Sequence, residues 1–350
     1  MQVSDERVPV AVVGVGRMGR HHAKVYNNLP NAQLVAVADS NEERAESVAA
    51  QYGCAAVSDP AELIEKFPHI KAVTIAVPTV FHRSAAEPLL KRGIACLVEK
   101  PLAASSEEGR AIVKLAEAHG AVLQVGHTER FNPVVRAVTA LNIVPRFVEV
   151  HRVSPMTFRS LDIGVVMDMM IHDLDIVLSL ANSKLDRVDA AGVAVLGEHE
   201  DVANARLAFA NGCVANLTAS RLALKTERRL RLFNENAYIN LDYQKRTGLI
   251  IRKSDNDLAL NEIREQIRQG IDLTDLDYSN LLYIDELKMD GPEGHSDPLT
   301  GELAAFLDCV TKGGKPVVDG QAGVAAVEAA ERVVASITSH KWEGLTVWNA

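Results

Sequence analysis

The sequence predicts an α/β fold in two parts: an N-terminal doubly wound parallel sheet, then a C-terminal α+β domain with a large, mainly antiparallel sheet. Three observations carry the prediction. Apolar strands alternate with helical stretches as far as residue 126, the pattern of a parallel sheet covered on both faces. The first strand runs into Gly14-Val-Gly16-Arg-Met-Gly19, a tight strand-to-helix turn. From Val188 to Arg252 strands follow one another without helices between them, which is a different architecture. The chain is accordingly divided at 1–126 and 127–350.

Length and composition agree. A chain of 350 residues, 47% apolar and 24% charged, has room for two ordinary globular cores. A net charge of −9 argues against a nucleic-acid partner, but a locally basic site can still take an anionic small molecule. Cys54, Cys96, Cys213 and Cys309 form no C-x-x-C pair, which favours reduced thiols in a cytoplasmic setting and no metal scaffold. Asp5 and Glu6 precede the first strand, so no signal peptide is expected. No apolar run approaches the roughly 20 residues that span a membrane.

Val8 and Val10–Val13 read as a buried parallel strand. Gly14 allows the tight turn, Gly16 leaves room for a pyrophosphate at the backbone, and Gly19 lets the next helix lie close to the strand. That helix, about 17–28 with Arg17 and Met18 in its first turn, presents free N–H groups and a positive dipole end to phosphates. Gln33–Asp39 is the second strand. Asp39 lies 20 residues beyond Gly19, where a carboxylate accepts hydrogen bonds from both ribose hydroxyls and repels a 2′-phosphate. NAD is therefore expected over NADP. The alternative is that Asp39 caps the helix beginning near Asn41.

Helices at 41–51 and 60–66 flank a short strand at 55–57, with Pro60 in the first turn of the second. Lys71–Val77 is a strand closed by Pro78. A helix at 80–91 ends at Gly93, and Ile94–Val98 is a strand. Ser105-Ser-Glu-Glu108 is a capping box opening a helix to His119, and Ala121–Val125 is the sixth strand. Ligands of such sheets bind beyond the carboxyl ends of the strands. Pro78, Thr79, His82, Glu99, Lys100 and the stretch 126–132 therefore join the glycine turn and Asp39 as candidates. Lys100, after a buried strand and before Pro101, holds an ammonium over the crevice, and an X-Pro bond has access to the cis form. The plainer alternative is a lysine in a surface turn.

In the second half, Arg146–Val153 is a strand and 162–180 contains a helix. Asp168 and His172 stand four apart on one face of it, an arrangement suited to a general base with an orienting carboxylate. The alternative is a helix-surface ion pair with Asp173 and Asp175 solvated. No third ligand has suggestive spacing, so no metal is expected. Strands follow at Val188–Leu196, Asp201–Ala210 and Cys213–Arg221, the last two joined by Asn211-Gly212 as a two-residue hairpin. Arg228–Phe233 and Ala237–Tyr243 make another hairpin before Gly248–Arg252. Ala203, Ala205, Leu207 and Phe209 share one face of their strand; Asn204, Arg206 and Ala208 share the other. The acidic stretch 254–297 reads as a long excursion with one helix at 258–269: a lid, an oligomer arm or a surface loop. Helices at 298–312 and 321–339 close the chain.

Over nearly its whole length the chain resembles the Gfo/Idh/MocA family of nicotinamide-dependent sugar and polyol dehydrogenases. The resemblance is carried by G-V-G-R-M-G-R-H-H at 14–22, V-A-D at 37–39, P-T-V-F-H at 78–82, V-E-K-P-L-A at 98–103, V-G-H-T-E-R-F-N-P at 125–133, D-M-M-I-H-D-L-D at 168–175 and V-V-D-G-Q-A-G at 317–323. It implies a Rossmann domain, then a sheet whose outer face builds homodimers or homotetramers. It places the family's catalytic lysine, aspartate and histidine on Lys100, Asp168 and His172. The expected cofactor contacts are Gly14, Gly16, Arg17, Met18, Gly19, Asp39, Pro78, Thr79, His82, Glu99 and Lys100. Within the family, V-G-H-T-E-R-F-N-P, F-R-S-L-D at 158–162 and N-G-C-V-A-N-L-T-A-S-R at 211–221 are most similar to members that oxidise the 3-hydroxyl of UDP-N-acetylglucosamine for lipid A synthesis. The 254–297 excursion is not part of the family's general pattern.

The chemistry this implies is NAD-dependent oxidation of a secondary sugar hydroxyl. His172 takes the proton, Asp168 orients the imidazole, and Lys100 stabilises the developing alkoxide. Arg130 with Asn132 beside it, and Arg159, are the candidates for a substrate diphosphate. Two other readings stay open. The same fold can oxidise inositols or hydrolyse sugars while retaining NAD, and a non-catalytic NAD(H)-binding sensor needs the cradle alone. The expected partners are a small-molecule sugar and further copies of the chain, with no nucleic acid and no membrane.

Overall fold

The computed structural model describes residues 7–157, 162–253, 257–272, 282–287, 289 and 297–342. In chain order the first elements are β1 (Val8–Val13), α1 (Arg17–Asn28), β2 (Ala32–Ala38), α2 (Glu42–Tyr52), β3 (Ala55–Val57), α3 (Pro60–Lys66), β4 (Ala72–Ile75), α4 (His82–Leu90), β5 (Ala95–Glu99), α5 (Ser106–Ala118) and β6 (Leu123–Gly126). They continue with α6 (Pro133–Ala140), β7 (Phe147–Val153), a π turn at Val166–Met170, α7 (Ile171–Ala181), β8 (Leu185–Val193), β9 (Val202–Phe209), β10 (Val214–Ser220), β11 (Glu227–Phe233), β12 (Ala237–Asp242) and β13 (Thr247–Lys253). The last are α8 (Asp257–Arg268), β14 (Leu282–Glu286), α9 (Pro298–Lys312) and α10 (Gly320–Ser339).

The described residues form two compact units. The first draws on described residues within 7–132, 166–178 and 297–342, the second on those within 133–157, 162–165 and 179–289. This division differs from a cut at 126/127 because later segments fold back onto the first sheet. Helix α9 packs on α1, α10 packs on α5, and the π turn lies against α10.

The first unit holds a parallel sheet in the order β3-β2-β1-β4-β5-β6. Strand order reverses between β1 and β4, which opens a crevice at their carboxyl ends. The strands are apolar throughout because both faces are covered. On one face Val10, Val12, Val37 and Leu97 pack with Ala23 and Tyr26 of α1, Val48 of α2, and Leu303, Phe306 and Leu307 of α9. Side chains cap the helices: Asn41 accepts from the Arg44 N–H, Asp59 from those of Ala61 and Glu62, and Ser105, as its capping box implies, from that of Glu108. The expected helix at 80–91 begins as a 3₁₀ turn, Thr79–Phe81, before α4.

The second unit holds a sheet in the order β14-β13-β12-β11-β7-β10-β9-β8, antiparallel except for the parallel pair β7–β10. Its strands alternate as predicted. Ala203, Ala205, Leu207 and Phe209 are buried. The other face carries polar cross-strand pairs, Asn204 with Thr218 and Arg206 with Asn216, both at 2.9 Å.

Three details differ from expectation. β8 ends at Val193, because buried Asp201 accepts the N–H groups of Val195 and Leu196 and the Arg221 guanidinium, folding 194–201 into a loop. The Asn211-Gly212 turn has three residues: the Phe209 N–H donates to the Cys213 carbonyl, and Gly212 takes φ +86° as the bulge residue. The short edge strand β14 lies within the excursion and pairs with β13. Its mostly exposed residues carry no apolar alternation to reveal it. No helix among the described residues is long and apolar enough to cross a membrane.

Candidate active site

The crevice at the carboxyl edge of the parallel sheet belongs to the first unit. Its cofactor side is shaped by missing side chains. Gly14 has φ +84°, and a Cβ there would stand 2.8 Å from the Ala76 carbonyl. A Cβ on Gly19 would overlap the Gly14 carbonyl oxygen. Gly16 faces open space and caps α1 without a side-chain hydrogen bond, so nothing fills the place in front of the first-turn N–H groups.

Asp39 is 7% exposed. Its carboxylate accepts the Val15 N–H through Oδ2 and the Asn41 N–H through Oδ1, each at 2.9 Å, with the Arg44 guanidinium 3.4 Å away. It therefore braces the start of α2, although the cap itself is Asn41. It also lines a cleft of about 700 Å³ together with Gly14, Gly16, Arg17, Met18 and Pro78. A bare phosphate cradle, a helix N-terminus and a carboxylate at the end of β2 fit an NAD. Thr79 is half-buried beside Pro78.

His82 departs from the expected cofactor set. It is buried, with Nδ1 2.9 Å from the Pro101 carbonyl and Nε2 2.9 Å from the Val77 carbonyl. The one N–H of a neutral ring donates to one of these carbonyls, so the ring packs between two turns of the crevice, and it is absent from the residues lining the cleft. Burial pushes this imidazole below its ordinary pKa against the pull of the carbonyls.

The reactive side is crowded with charge. Lys100 precedes Pro101 across a cis peptide. Its Nζ donates to the Asp168 main-chain carbonyl at 2.7 Å and lies 3.6 Å from Asp168 Oδ1. Asp168 sits in the π turn that leads into α7, a local widening common at functional sites. His172 is half-buried in the first turn of α7, and its ring stands perpendicular to that of His127, centroids 6.4 Å apart. Lys100 and Asp168 thus meet directly, and His172 reaches the same edge beside His127.

Asp173 and Asp175 are 2% and 3% exposed, which overturns the picture of a solvated helix surface. Asp175 pairs with Arg130 at 3.6 Å. The Arg130 side chain is only 14% exposed and also reaches the Val317 carbonyl, so it is engaged internally rather than held out for a diphosphate. Asn132 is buried and donates to Glu129 Oε2 at 3.2 Å. Arg159 lies outside the described residues.

Sequence reasoning missed two groups, His22 and Glu302, and held a third, His127, only within the candidate stretch 126–132. His127 is fully buried, and neither ring nitrogen has a hydrogen-bond partner. Burial pushes its pKa down and the charges of Lys100 and Arg130 add to this, against Asp175 and Glu99, so the ring is neutral. Its place directly after β6, on the ligand edge, was the available signal. His22 and Glu302 had none. His22 Nε2 lies 2.7 Å from Glu99 Oε1. Glu302, from α9, accepts the Thr128 hydroxyl at 2.9 Å. Burial and the charge of Glu99 raise its carboxyl well above the usual range. Among the described residues no cluster of His, Cys, Asp or Glu is arranged to hold a metal.

Comparison with known proteins identifies the family and the fold. The GFO/IDH/MocA oxidoreductase family model, described by its NAD-binding Rossmann fold, matches residues 8–127, and the GFO/IDH/MocA C-terminal domain matches 137–240. The chain is 39% identical over 237 residues to a UDP-N-acetylglucosamine 3-dehydrogenase of Acidithiobacillus ferrooxidans, covering 67% of this chain and 74% of that one. It is 32% identical over 234 residues to the scyllo-inositol 2-dehydrogenase (NAD(+)) of Bacillus subtilis, covering 62% and 68%. The solved structure of UDP-N-acetylglucosamine 3-dehydrogenase GnnA from Acidithiobacillus ferrooxidans superposes with a TM-score of 0.83 at 32% identity, over 95% of this chain and 97% of that one.

Proposed function

This chain belongs to the GFO/IDH/MocA family of NAD-binding oxidoreductases, and on that premise we propose that it oxidises the 3-hydroxyl of a UDP-N-acetylamino sugar to a ketone. The observation that supports this most is the contact of Lys100 with Asp168 at the edge where His172 and the glycine cradle also lie. Gly14, Gly16, Gly19 and Asp39 hold NAD, which when bound supplies the hydride acceptor.

His172 accepts the proton of the reacting hydroxyl. An imidazole suits that task because its ordinary pKa, about 6.5, lies close to neutral pH. Lys100 donates to the same oxygen and stabilises the charge that develops on it. Asp168 holds the Lys100 ammonium through its carbonyl and carboxylate, and it stands four residues before His172 in the chain.

One observation favours a second reading. With Arg130 tied to Asp175, an uncharged polyol such as an inositol needs no further cation from this edge. Turnover followed by NADH absorbance over a panel of UDP-sugars, inositols and free sugars separates the two. The proposal expects UDP-N-acetylglucosamine to give the highest kcat/KM. Preference for an inositol supports the second reading, and a product formed without net NADH points to redox-neutral chemistry.

A further inference from the structure

We infer that His22 and Glu99 are a positioning pair that fixes Lys100 to the cofactor-binding helix; the inference rests on the role proposed for Lys100. His22 lies three residues after Gly19 on the buried face of α1, with Ala23 and Tyr26. It is fully buried, and its Nε2 reaches Glu99 Oε1 at 2.7 Å across 77 residues of sequence. Glu99 ends β5, and its Oε2 accepts the main-chain N–H of Lys100 at 3.2 Å. The helix that begins at the phosphate cradle is thus connected through two side chains to the backbone of the reactive lysine.

The surroundings are built for one charged carboxylate at this point. Gly126 pairs with Glu99 across the sheet, and a Cβ there would stand 3.1 Å from the Glu99 carboxylate. Burial pushes the Glu99 carboxyl up, but the hydrogen bond and charge of His22, with the charge and N–H of Lys100, outweigh it and hold the group ionised. Burial and the Glu99 charge it faces hold the Glu302 carboxyl well above the usual range. A buried polar contact adds little net stability over a well-packed apolar one, because both groups lose their hydration. Stability alone therefore does not account for this one, whereas the geometry it imposes on Lys100 does.

The test uses the full chain. In His22→Leu, kcat should fall about 10- to 100-fold, the cost of misplacing a catalytic group by around an ångström. The dissociation constant for NAD, measured by calorimetry, should change by less than about threefold, since an interaction made only in the transition state moves kcat and spares binding. His22→Gln keeps an N–H donor near Nε2 and should recover most of the loss. In the absence of NAD, the rate at which acetic anhydride labels Lys100, read by mass spectrometry of its peptide, should change in His22→Leu while surface lysines label as before.

In a Lys100→Met background, His22→Leu should add no further loss, because the pair acts through Lys100. An unchanged kcat and labelling rate in His22→Leu, or an equal loss in the Lys100→Met background, overturns the inference. If Lys100→Met itself keeps near-normal kcat, the proposed role of Lys100 fails instead. Should His22→Leu not fold, Glu99→Gln is judged by the same criteria.

Discussion

The two sides of the crevice are built on opposite lines. Around Gly14, Gly16 and Gly19 the chain withholds side chains, with open space where a Gly16 side chain would stand and no side-chain cap on α1. Around Lys100 it crowds charges together, with Lys100 on Asp168, Arg130 on Asp175 and Glu99 on His22. A bound cofactor needs shape and a few fixed dipoles. A proton transfer needs charges set in place before the substrate arrives. Damage to the first side should therefore appear in binding or folding, and damage to the second in turnover.

The largest expected effect is on the reactive side. Lys100→Met should lower kcat by about 10²- to 10³-fold, the usual cost of losing a charge-stabilising donor, with the NAD dissociation constant little changed in calorimetry. Next comes a contrast inside the cradle. Gly19→Ala forces a Cβ into the Gly14 carbonyl and should cost about 3 kcal/mol of stability in chemical denaturation, if the protein folds. Gly16→Val meets open space in the empty protein, so it should denature like wild type while binding NAD about tenfold more weakly or worse. Equal destabilisation by both would break the comparison.

Asp39→Asn should narrow the preference for NAD over NADP by about tenfold, since a hydrogen bond to a charged group is worth about 1.5–3 kcal/mol. Ratios of kcat/KM for the two cofactors measure it.

The smallest effect is a pH dependence. The folded pKa of Glu302 lies above its ordinary value of 4.5, so the native chain holds a proton that the unfolded chain has lost. The stability this gives is complete below that value and declines as pH rises toward the folded pKa. Glu302→Gln cannot ionise, so its melting temperature relative to wild type should climb with pH. A constant difference from pH 5 upward would show that Glu302 is ionised in the fold.

The parts legible in the sequence are those whose signals are local. The glycine turn, the Ser105 cap and the alternation of β9 all lie within a few consecutive residues. Lys100 is marked by its place after a buried strand, Asp168 and His172 by their spacing, and all three by motif resemblance; the fold then sets the first two in contact. The rest is non-local. His22 meets Glu99 only because α1 packs over the sheet, and Glu302 enters from a helix 174 residues after Thr128. Arg130 looked free because its partner, Asp175, lies on another element. The π turn has no periodicity of its own, and β14 is too exposed to show any.

The central claim is that this edge oxidises the sugar of a nucleotide-activated N-acetylamino sugar. The most direct measurement is the mass spectrum of UDP-N-acetylglucosamine after incubation with the protein and NAD, alongside NADH absorbance. The account predicts loss of two hydrogens located on the sugar, matched mole for mole by NADH and abolished in His172→Ala. An unchanged nucleotide sugar, with NADH formed from an inositol instead, would contradict it.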